Sequence, residues 1–147
     1  MIEPVLLLKL IHVVSSAVLF CGVFSTALIL TLARGSEALG AVAGLLHRAG
    51  IVTAVAMVVQ PLTGIWLIVV LEDAAMQPWL VLAYVLYVAA AGLWSVALAA
   101  TRRLAAAGGR DMTVYSRARL LSWLATGAVV VIYFLMLTQP ALWGKAG

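Results

Sequence analysis

Charge is what this sequence has least of. Only 10% of its 147 residues are charged, against 66% that are hydrophobic, and a soluble domain of this size needs a polar surface that such a chain cannot make. Cysteine is reduced to Cys21, which excludes an intramolecular disulfide and a paired-thiolate metal site. Lying mid-run in an apolar segment, Cys21 reads as a small buried packing residue. No carboxylate falls within the long apolar runs, and there is no Gly-rich phosphate loop and no His/Cys cluster at metal spacing. A zinc enzyme and a carboxylate-based proton pump are therefore not expected. No nucleophile–base–acid constellation is present, which leaves open whether the chain is an enzyme. Internal repeats and low-complexity linkers are also missing.

What is there in quantity is apolar sequence. Four runs are long enough to cross about 30 Å of hydrocarbon as helix: roughly Val5–Ala33, Leu45–Leu71, Trp79–Thr101 and Leu120–Pro140. They predict an all-α fold, one transmembrane domain over 1–147 built as an antiparallel, up-down four-helix bundle. The first run follows Glu3 rather than a basic segment and is too long for the apolar core of a signal peptide. Ser36 is placed to cap the second helix, and "GGRD" is a turn signal with Asp111 available to cap the fourth. Pro140 and Gly144 would end that helix, with Trp79 and Trp143 near the outer interface. Small residues four apart (Gly40 and Gly44; Ala91, Ser95 and Ala99) predict close helix packing.

The sequence pI of about 9.7 does not point to nucleic acid, because the basic residues are not interleaved with stacking aromatics. All seven arginines fall in or beside two connections: Arg34 and Arg48 at the first, and Arg102, Arg103, Arg110, Arg117 and Arg119 at the third. The second connection carries Glu72 and Asp73 instead. The positive-inside rule then puts the first and third connections in the cytoplasm and both termini outside, in a cell inner (plasma) membrane, with the arginines against anionic lipid headgroups.

Polar residues inside the runs are few enough to be informative. Lys9, His12, Ser15 and Ser16 share one face of the first helix. Gln60 shares a face with Met57, Thr63 and Gly64, and Pro61 weakens the hydrogen bonding there. Tyr84 and Tyr87 align on the third helix, and Tyr133 with Thr126 and Met136 on the fourth. By the 1.5 Å rise per residue, His12 lies about 10 Å below the outer end, and Gln60, Tyr84, Tyr87 and Tyr133 lie at about 8–15 Å. The bland reading is that these groups hold the helices in register, with Lys9 reaching the headgroups. The functional reading is a ligand or cofactor site in the outer half of the bundle, since an intramembrane ionisable residue marks a site by default. His47 sits at the opposite end, some 20 Å or more from His12. The two imidazoles of one chain therefore cannot bind one haem iron from opposite faces.

The stretch "LLKLIHVVSSAVLFCG", with Lys-Leu-x-His and a Gly ten residues after the His, is followed in order by "QPLTGIWLIV", "PWLVLAYVLYVAAAGLW" and "YFLMLTQP". Together these resemble the family of integral membrane proteins called domain of unknown function 2269 over nearly the whole chain. That family is distantly similar to the copper-resistance D membrane proteins and to HemJ-type protoporphyrinogen oxidases. The second likeness implies a b-type haem protein, redox or electron-transferring, with His12 as the axial metal ligand. Lys9 would then meet a propionate, and Ser16, Gln60, Tyr84, Tyr87 and Tyr133 would line the cofactor site. A second axial ligand would come from Met, water or a neighbouring copy's His12, as in a homo-oligomer or a membrane complex. Such enzymes carry a lysine after a tryptophan in the third helix where this chain has Ala83, so protoporphyrinogen oxidation does not carry over. The alternatives are a transport or permeability protein, with copper suggested by the relatives and Met57, Met136 and His12 as soft or borderline ligands, and a non-catalytic structural subunit.

Overall fold

A computed structural model describes residues 3–70 and 77–138. They form four helices: α1 (Pro4–Leu32), α2 (Leu39–Val70), α3 (Pro78–Ala106) and α4 (Met112–Thr138). All four are long and apolar enough to cross a membrane, so lipid surrounds the bundle. Glu72, Asp73, Pro140, Trp143 and Gly144 lie outside the described residues.

The helices outrun the hydrocarbon-length stretches at the arginine-bearing end. There α2 starts at Leu39, α3 continues to Ala106 and α4 starts at Met112. Hydropathy ends where arginine and serine begin, but helix hydrogen bonding does not, so several arginines ride on helical extensions rather than in loops. The connections are correspondingly short and carry the caps their residues suggest. The Ser36 hydroxyl accepts the Ala38 N–H, and the Asp111 carboxylate accepts those of Thr113 and Val114. Gly108 and Gly109 take positive φ (60° and 78°) to turn the chain between α3 and α4, a conformation glycine adopts without strain.

Each helix packs on two others, α1 on α2, α2 on α3, α3 on α4 and α4 back on α1. Along α1 and α2, facing residues run 12 with 63, 15 with 60 and 22 with 53. Residue numbers fall on one helix as they rise on its neighbour. Alanine and glycine set the spacing. A Cβ on Gly22 would lie 1.9 Å from the Thr53 hydroxyl oxygen, and one on Gly40 would lie 2.6 Å from the Gly108 backbone. The Gly ten residues after His12 is thus a point of helix contact. Not every small residue serves this purpose: Ser95 and Ala99 face outward, contrary to the expected packing stripe. Cys21 is also exposed rather than buried.

The core is stacked in three layers along the bundle. Leu30, Leu46, Leu104 and Tyr115 fill the arginine-bearing end, and Leu19, Val23, Val129 and Trp94, 1% exposed, fill the middle. The remaining layer holds Ala83, Ile132 and Leu135. Among the described residues that end of the bundle is the more thinly filled, and the polar residues of α1 and α2 lie there.

Candidate functional site

His12, a little over two turns into α1, anchors a hydrogen-bonded cluster with α2. Its Nδ1 lies 2.9 Å from the Thr63 hydroxyl, and its Nε2 lies 3.1 Å from the Gln60 amide nitrogen. Gln60 also donates to the Ser16 hydroxyl at 2.6 Å and accepts from the Ser15 hydroxyl at 2.6 Å. The hydrogens can be assigned from this pattern. Thr63 directs its hydroxyl hydrogen at the carbonyls of Val59 and Gln60, 2.9 and 3.0 Å away, so its oxygen must accept from His12. The imidazole therefore carries its hydrogen on Nδ1, and Nε2 accepts from the Gln60 amide. Gly64 makes room for this, since a Cβ there would come within 3.2 Å of the His12 Cε1. The ring lies against α2, with both nitrogens engaged.

Two tyrosines brace the cluster from the other helices. Pro61 supplies no N–H to the carbonyl of Met57 four residues earlier, and α2 nevertheless continues through it. The Tyr87 hydroxyl donates to that carbonyl and satisfies it. On α4, Tyr133 donates to the Ser16 carbonyl at 2.5 Å and packs its ring against Phe20.

Beside this wall lies a cavity of about 200 Å³. His12 and Gln60 bound it on one side, Tyr84 and Tyr87 on the other, with Leu67 and Met136 among its apolar lining. Gln77 and Trp79, at the start of α3, stand at its rim, where the Trp79 indole N–H donates to the Gln77 side-chain carbonyl at 2.5 Å. Among the described residues, the Tyr84 hydroxyl and the Gln77 amide nitrogen make no hydrogen bond to the protein. They are the cavity's available polar groups. An engineered 150 Å³ apolar cavity is enough for benzene, so this one admits a single ring with small substituents, or a short chain.

Of the residues expected at the site, His12, Ser16 and Gln60 form the cluster, Tyr84 and Tyr87 face the cavity, and Tyr133 supports Ser16 from behind. Lys9 does not join them and is exposed. Ser15 and Thr63 belong to the cluster although only their helix faces pointed to it, and the rim residue Gln77 gave no signal. As for haem b, both His12 nitrogens are engaged in hydrogen bonds to α2, with Thr63 and Gln60, rather than left free for iron. Among the described residues, no three of His, Cys, Asp and Glu come together to hold a metal ion.

Comparison with known families matches the chain to the family described as "Predicted integral membrane protein (DUF2269)" over residues 6–140. No curated protein and no solved structure matches. The likeness to copper-resistance D and HemJ-type proteins stays with the sequence motifs alone.

Proposed function

The chain belongs to the domain of unknown function 2269 family of integral membrane proteins, whose description names no activity, and on that footing we propose that it is a small-molecule-binding membrane protein. Its ligand is a compact apolar molecule with a carbonyl or hydroxyl oxygen at one end, entering from the lipid phase. The observation that carries this reading is the one-ring cavity with two uncommitted polar groups, Tyr84 and Gln77, in an apolar lining. The oxygen would meet those two groups, while the His12–Gln60 cluster holds the wall in shape. Sidedness follows from the arginines: the end bearing Arg34, Arg102 and Arg110 faces the cytoplasm, and the cavity lies in the outer half of a plasma membrane with both chain termini outside.

Native mass spectrometry of protein purified from its own membranes tests the reading, with a visible spectrum of the same sample. A bound small molecule should appear in the wild type and be lost in Leu67→Trp, which fills the cavity from a residue that takes no part in the hydrogen-bonded cluster. A Soret band abolished by His12→Ala would replace this reading with the b-type haem protein.

A further inference from the structure

At the arginine-bearing end, α3 presents Ser95 and Ala99 on an exposed face, with a groove on either side. The groove toward α2 is about 510 Å³ and is lined by His47, Leu98 and Arg102. The groove toward α4 is about 350 Å³ and is lined by Val96, Val114 and Arg117. Ser95, Ala99 and Arg103 border both. Each groove therefore has a cationic mouth and a small-residue floor, running roughly 12 Å along the axis from Arg103 to Ser95.

Among the described residues, no carboxylate pairs with the charge at the mouths. The seven arginines share this end with two carboxylates, Glu37 and Asp111, and Asp111 caps α4. Arg119 is engaged differently, lying over the Tyr115 ring at 5.6 Å. His47 adds an independent sign, because its Nδ1 is buried and has no partner among the described residues.

We infer that this face binds one anionic phospholipid, its phosphodiester held by Arg102, Arg103 and Arg117 and its two acyl chains lying in the grooves on either side of Ser95 and Ala99. A helical membrane protein places such basic pockets at headgroup depth, where each arginine contributes separately. The charge complementarity selects an acidic headgroup, and the apolar grooves below it select a lipid over a soluble anion. This site stands apart from the cavity at the other end and does not depend on it.

The test is titration of the full chain in detergent with phosphatidylglycerol, phosphatidylcholine or inorganic phosphate, read by native mass spectrometry. One phosphatidylglycerol should bind in preference to phosphatidylcholine. Arg103→Gln and Arg117→Gln should each weaken it roughly fivefold, and Ala99→Trp, which obstructs both grooves without changing charge, should weaken it as well. Arg110→Gln removes the same charge from the same end but lies outside the grooves, and should leave binding nearly unchanged. Equal losses in Arg110→Gln and Arg103→Gln would mean diffuse surface charge and overturn the site. Full binding in Ala99→Trp, or displacement of the lipid by equimolar phosphate, would overturn the lipid. All four substituted positions are exposed, so the variants should fold.

Discussion

Pro61 and Tyr87 show how a single residue's deficit is met from another helix. The Met57 carbonyl, left without its helical donor, takes the Tyr87 hydroxyl. Tyr87→Phe should therefore destabilise the protein by about 1 kcal/mol, the net worth of a satisfied hydrogen bond. In a Pro61→Ala background, where the helix supplies its own donor, the same substitution should cost far less. Unfolding in detergent of the two single variants and the double variant measures that coupling. A contrasting pair is Gln60→Leu and Lys9→Ala. Gln60 bonds Ser15, Ser16 and His12, and at about 0.6 kcal/mol per interhelical bond its loss should lower stability by about 2 kcal/mol. Exposed Lys9 should lower it by almost nothing. His12, Ser16 and Gln60 could be found from sequence because ionisable and amide groups are rare in hydrocarbon and their helix faces follow from spacing. Which atoms meet could not be found, because the meeting depends on the rotation of α1 against α2, set by Gly22 and Gly64.

The helices themselves were legible as long apolar runs, and their caps at Ser36 and Asp111 were legible as residue types. Their true length was not, because hydropathy reports burial in lipid rather than backbone hydrogen bonding. Nor was the use of each small residue, since packing and exposed faces draw on the same alanines and serines. The α1–α2 contact offers the sharpest check. Gly22→Ala should destabilise by about 1–3 kcal/mol through overpacking against Thr53, and Thr53→Ala should recover part of that loss. Gly92, whose Cβ position meets nothing within 4 Å, should accept alanine with no loss, and with the small gain alanine brings to a helix.

At the scale of the molecule, one end of the bundle is packed and charged, and the other, among the described residues, is thinly packed and polar. Their sidedness can be read by labelling in intact cells. In a Cys21→Ala background, a cysteine at Met76 should react from outside and one at exposed Ala107, in the connection between α3 and α4, only after permeabilisation. Reaction of both from outside would overturn the assignment. The central claim, that the thin end holds a ligand, is tested most directly by photolabelling the reconstituted protein with a single-ring aryl diazirine bearing a benzyl alcohol. Adducts should concentrate on the cavity residues Leu67, Ile68, Leu80 and Met136, disappear in Leu67→Trp and fall in Tyr84→Phe. Label spread over lipid-facing Val55, Val85 and Phe134, with no enrichment in the cavity, would contradict the account.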